Sequence, residues 1–133
     1  MSENHQGGCL CGGLRYEFTA PLQDIAHCHC STCRRSSGGI VTTWITVPAS
    51  SFQWLAGTPA QYDSSASCVR YFCANCGAQL ALVTRLSPQS IDLTIATLDH
   101  PEHAPAERHI WTDSRLPWLH LDEHLPGEAE ETL

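Results

Sequence analysis

The sequence predicts a mainly β domain whose segments are tied together by metal, and three observations carry that prediction. Its apolar and alternating stretches are short and are separated by Gly, Pro, Ser and Asp, which punctuate strands and turns rather than helices. Seven of the eight cysteines fall into three clusters, Cys9-Leu-Cys11, Cys28-His-Cys30-Ser-Thr-Cys33 and Cys73-Ala-Asn-Cys76. Thiolates at this spacing converge on one ion, and zinc takes sulfur ligands in a tetrahedron at about 2.3 Å. Finally, 133 residues make one domain able to bury a core of its own.

The elements follow in chain order. Residues 14–18 alternate and stop at Ala20-Pro21; residues 40–47 are rich in β-branched side chains and stop at Pro48; both read as strands. Residues 52–55, 69–72, 79–83 and 91–97 add further strands at the spacing of an all-β domain. The one helical turn read before the C-terminal region is 31–36, which begins inside the cysteine triplet, whereas 102–109 is polar, broken by Pro105 and read as a loop. The domain spans 1–133, with a core at about 8–126 and an acidic tail at 127–133, Glu128 to Glu131 reading as a frayed, solvated end. No repeat or low-complexity segment divides it.

Charge and composition narrow the function. The formal charge is −7, and ionised cysteines would make it more negative even after two zinc ions are added. Such a surface repels phosphate, so nucleic acid is a poor partner. Residues 1–8 are polar and no stretch approaches a membrane span. The expectation is a soluble, cytoplasmic protein without a membrane partner, and in a reducing compartment its cysteines favour metal over disulfides. All seven basic residues are Arg, whose planar fork suits carboxylates better than the point charge of Lys.

The ligands sort themselves by spacing. Cys73 and Cys76 form a zinc-knuckle pair followed by Gly77, Cys9 and Cys11 a second pair followed by Gly12, and a glycine there permits a positive φ. Together they make a closed, structural four-sulfur site. Cys28, Cys30 and Cys33 remain, and three ligands leave one tetrahedral position free for a substrate. Cys68 is the alternative fourth sulfur that would close this site. His27 and His29 flank Cys28, but alternation along a strand turns both away from the thiolates. A thioredoxin-like role for the CxxC pair would need a helix after the cysteines, and Cys76 instead runs into a strand.

The order CxC, then CxCxxC-Arg, then Arg70-Tyr-Phe-Cys-Ala-Asn-Cys-Gly77, then His109-Ile-Trp-Thr-Asp-Ser-Arg-Leu-Pro-Trp118, resembles the family of the glutathione-dependent formaldehyde-activating enzyme and centromere protein V. The likeness spans about 8–126. It implies an Mss4-like fold of small twisted antiparallel sheets, a structural zinc on Cys9, Cys11, Cys73 and Cys76, and a second zinc on Cys28, Cys30 and Cys33. The implied activity is addition of the glutathione thiol to formaldehyde to give S-hydroxymethylglutathione, formally the reverse of a carbon–sulfur lyase reaction. Cys68 is not part of that pattern.

On this reading the triplet is the catalytic centre, acting on glutathione or another small thiol together with a small aldehyde. Arg34, Arg35 and Arg70 are candidates to offset the triplet's charge and to bind substrate carboxylates, Arg34 and Arg70 foremost. Trp44, Trp111 and Trp118 read as core, and His109 as packing. Two other classes remain: a zinc-stabilised binding module that keeps only the four-cysteine site, and a thiol or metal sensor that uses the triplet reversibly.

Overall fold

A computed structural model describes residues 3–131. Among these, the chain forms ten strands and one α-helix: β1 (Glu3–Gly8), β2 (Arg15–Ala20), β3 (Ile25–Cys28), α1 (Ser31–Ser37), β4 (Thr42–Pro48), β5 (Phe52–Ala56), β6 (Ala60–Asp63), β7 (Cys68–Phe72), β8 (Gln79–Thr84), β9 (Ser90–Thr94) and β10 (Arg108–Ile110). A three-stranded sheet runs β1-β2-β5 and a seven-stranded sheet runs β10-β3-β4-β9-β8-β7-β6. This is the mainly β, Mss4-like architecture the motifs imply. No helix among the described residues is long and apolar enough to cross a membrane.

Alternation places the two faces of the larger sheet in different environments. Ile25, Ile45, Val47, Ala81 and Leu93 point to one face and pack with Tyr16 and Phe18 of the smaller sheet, and with Leu14 just before it, to make the main core. Ala26, Cys28 and Trp44 point to the other, where they join Cys33 and Ile110 in a second apolar cluster. The cysteine triplet is therefore built into the outer face of the sheet.

Several elements differ from the sequence reading. β1 arises from polar residues because it is an edge strand: it pairs along its length with β2, from Glu3 opposite Ala20 to Gly8 opposite Arg15, and has little side chain to bury. β6 is likewise a mostly exposed edge strand, paired with β7. The strand predicted at 91–97 stops at Thr94, and Ile95–Thr97 turns as a 3-10 helix. The predicted loop at 102–109 contains a 3-10 turn at Pro101–His103 and ends in β10, which pairs parallel to β3, the one parallel pair among the described strands.

The tail also departs from expectation. Rather than fraying, it docks along β10: the His109 amide donates to Pro126 O, the Glu128 amide to His109 O and the Thr112 amide to Glu128 O. Glu131 then reaches back to Arg108, Oε2 lying 3.5 Å from Nη2. Residues 132 and 133 of the predicted tail, and 1 and 2 at the other end, lie outside the described residues. Trp118, read as core, is 62% exposed.

Candidate metal centres and the cavity between them

The first sulfur cluster joins the two sheets. Cys9 and Cys11 sit in the turn between β1 and β2, Cys73 and Cys76 in the turn between β7 and β8, and all four sulfurs lie within 4.8 Å of one another. Cys9 and Cys11 are 3.5 Å apart, Cys11 and Cys73 3.7 Å. A tetrahedron with metal–sulfur bonds of about 2.3 Å has edges of about 3.8 Å, so the cluster fits one ion. Gly12 and Gly77 follow the last ligand of each pair at φ 79° and 80°, as expected of backbone that folds back to present two thiolates. Backbone amides already point at the sulfurs: Leu14 donates to Cys9 at 3.2 Å and Cys76 to Cys73 at 3.4 Å.

The second cluster is Cys28 at the end of β3 with Cys30 and Cys33, their sulfurs again within 4.8 Å of one another and Cys28 and Cys33 3.6 Å apart. Cys30 is the N-cap of α1, its sulfur accepting from the Cys33 amide at 3.2 Å. The Cys28 and Cys33 thiols, then that amide and the Arg70 charge, favour the thiolate of Cys30, while its proximity pushes the Cys28 thiol up. Both sets of sulfurs thus have the donor chemistry and spacing of metal ligands.

Arg70 is 5% exposed and holds Nη1 and Nη2 3.8 and 3.7 Å from Cys33 Sγ. Arg34 takes a different place: its Nη1 donates to His29 O at 2.8 Å and Ser114 O at 2.6 Å, clamping α1 to the C-terminal loop. Arg35 is exposed. His27 bonds Thr43 and Asp122, and His29 bonds His109, so both imidazoles face away from the sulfurs. Burial, reinforced by His109 and His27, lowers the His29 pKa to about 4, and it stays neutral at physiological pH.

A cavity of about 420 Å³ opens over the outer face of the large sheet, lined by the triplet and by Asp24, Asp92, Arg108 and Glu131. Trp44, Leu82 and Ile110 supply apolar wall, Trp111 adds a rim, and Arg70 and Cys68 line the β7 side. Trp111 sits in left-handed backbone at φ 57°, a conformation that costs a bulky residue about 1–2 kcal/mol. Cys68 is partly exposed and lies outside both sulfur clusters.

The sequence reading missed the acidic part of the lining. Asp92 lies between Ile91 and Leu93 in β9, where alternation alone assigns it to a solvated face; the roof over that face comes from the docked tail and loops. Burial, then Glu131 and Asp24 nearby, push the Asp92 pKa up to about 6. A carboxylate raised in the folded state loses stability as pH climbs from about 4 to about 6 and carries the full cost above it. Thermal melts should therefore show Asp92→Asn stabilised by roughly 2–3 kcal/mol at pH 8 and by less at pH 5. Equal gains at both pH values would contradict the assignment.

The family model described as glutathione-dependent formaldehyde-activating enzyme matches residues 4–114. The chain belongs to that family. A solved crystal structure of a Rhodobacter sphaeroides protein is similar in fold, with a TM-score of 0.60 over 92% of this chain and 99% of that one at 20% sequence identity. In this member of the glutathione-dependent formaldehyde-activating family, the match covers both sulfur clusters and most of the cavity, including Asp24, Arg70, Asp92 and Arg108. The docked tail with Glu131 lies beyond it.

Proposed function

We propose that the protein binds two zinc ions, one structural on Cys9, Cys11, Cys73 and Cys76 and one on Cys28, Cys30 and Cys33, and joins a glutathione-type thiol to formaldehyde or a related small aldehyde. The observation that carries the reading is the wall of three sulfurs facing a cavity, with Cys68 outside the cluster. Cys28, Cys30 and Cys33 would hold the second ion, and a zinc bound there would favour the thiolate form of an incoming thiol.

The chain's own residues do the rest. Arg70, buried against Cys33, offsets the negative charge gathered at the triplet. Trp44, Leu82 and Ile110 keep the reacting end dry, which strengthens the electrostatic attraction there. Three donors lining the cavity have no partner among the described residues, Arg70 Nε, Trp44 Nε1 and Ser64 Oγ, and they suit the carbonyl and carboxylate oxygens of a peptide-like thiol. In the addition a carbon–sulfur bond forms, the carbonyl π pair moves to oxygen, and that oxygen takes the proton the thiol gave up. Nothing is oxidised, and the reverse direction breaks the same bond.

Thiols add to formaldehyde unaided, so the test is exchange at equilibrium. Carbon-13 exchange spectroscopy on labelled formaldehyde with glutathione should show interconversion of free and thiol-bound carbon at least tenfold faster with catalytic amounts of protein. A rate equal to that of the buffer, or unchanged on replacing Cys30, would defeat the proposal.

A further inference from the structure

We infer that a second cavity, between α1 and the β6–β7–β8 end of the large sheet, binds a nucleoside monophosphate, with Arg35 on the phosphate and Gln79 on the edge of the base. This site contains none of the triplet's sulfurs and needs no thiol.

The cavity measures about 530 Å³. From α1 it takes Ser31 and Arg35, which stand four residues apart and so on one side of the helix. Arg34, the next residue, is instead committed to His29 O and Ser114 O. From the sheet come two cross-strand pairs, Tyr62 opposite Arg70 and Phe72 opposite Gln79, and side chains so paired are direct neighbours.

Charge selects an anion. The chain carries 14 acidic residues against 7 Arg, yet two of those Arg, and no Asp or Glu, line this cavity. Arg70 directs its Nη atoms to Cys33 Sγ. The Arg ion pairs among the described residues belong to Arg15, Arg85 and Arg108, which leaves Arg35, exposed on its helix, without one. Its planar fork fits two oxygens of a phosphate.

Gln79 selects the rest of the ligand. Its amide nitrogen and its amide oxygen are both buried without a partner, and among the described residues no other side chain leaves a donor and an acceptor open together. Native structures pair nearly all such groups, so the orphaned amide calls for a guest. A donor beside an acceptor matches the edge of a base, as in the two-bonded pairing of Gln with adenine. Phe72, across the strands from Gln79, and Tyr62, 64% exposed, supply ring faces on which a base stacks. A peptide carboxylate would satisfy Arg35 and Gln79 but leave both rings bare. Gln79 also borders a third hollow with Thr42, Thr94 and Ala104, but that one has no Arg for an anion and no Phe, Tyr or Trp for a base.

The test is calorimetric titration of the purified protein with 5′-AMP, adenosine and ribose 5-phosphate. Wild type should bind 5′-AMP at least tenfold more tightly than either fragment. Arg35→Gln, on the exposed side of the helix, should bring 5′-AMP to within threefold of adenosine. Gln79→Met, similar in length but without the amide, should bring it to within threefold of ribose 5-phosphate. Wild-type binding of 5′-AMP no tighter than that of a fragment would overturn the inference, as would an affinity unchanged in Arg35→Gln. Because none of the three probes carries a thiol, either result would leave the thiol–aldehyde reading standing.

Discussion

Cys73→Ser should leave the chain without a cooperative unfolding transition at 25 °C. The four-sulfur cluster ties the β1–β2 turn to the β7–β8 turn, and therefore one sheet to the other. Structural zinc contributes about 10–16 kcal/mol of apparent binding energy, which at such a site is folding energy, while whole domains are stable by only about 5–15 kcal/mol. Loss of one of four ligands gives up enough of this to exceed the margin. Cys73 is also buried in the main core, so Cys76→Ser, at a partly exposed position, is the cleaner companion. Circular dichroism during heating reads the outcome; a native-like melt in both variants would show that the cluster is dispensable.

Cys30→Ser should do the reverse: it removes one ion and returns the exchange rate to that of the buffer while leaving the melt within a few degrees of wild type. The choice of residue matters. Cys33 and Cys28 are buried in the second apolar cluster, so changing them confounds ligand loss with packing. Cys30 is partly exposed and caps α1 through its sulfur. Serine is among the best N-cap residues, so the substitution keeps the cap and discards the thiolate. Elemental analysis beside the exchange assay separates the effects. A variant that keeps two ions, or unfolds as Cys73→Ser does, would contradict the division into a structural and a working site.

How much of this was legible in the sequence depends on whether the signal was local. The cysteine clusters, their trailing glycines and the turn 31–36 are short-range patterns, and the structure places Gly12, Gly77 and α1 as they predict. Alternation through 26–30 likewise turned His27 and His29 away from the sulfurs. Most of the misses are long-range. β10 is an edge strand held by backbone bonds to the distant β3, while β1, though paired with the next strand β2, is held by backbone bonds that impose no apolar period on its side chains. The tail from Glu128 docks by backbone bonds that composition does not encode. Arg34 lies beside the triplet in sequence, yet its Nη1 is committed to two carbonyls, one of them 80 residues away. The charged part of the cavity lining gathers residues 24, 92, 108 and 131 from four separate segments, so no motif announces it.

The central claim is that the second cluster offers three protein sulfurs and an open position, with Cys68 standing aside. Cobalt substituted at both sites reports it directly, because the sulfur-to-cobalt charge-transfer intensity rises with the number of thiolates bound. Wild type and Cys68→Ser should give the same spectrum, that of seven protein thiolates, and glutathione should raise the intensity of both by one thiolate. A wild-type intensity of eight that falls to seven in Cys68→Ser, with no response to glutathione in wild type, would show that the site is closed by the protein itself.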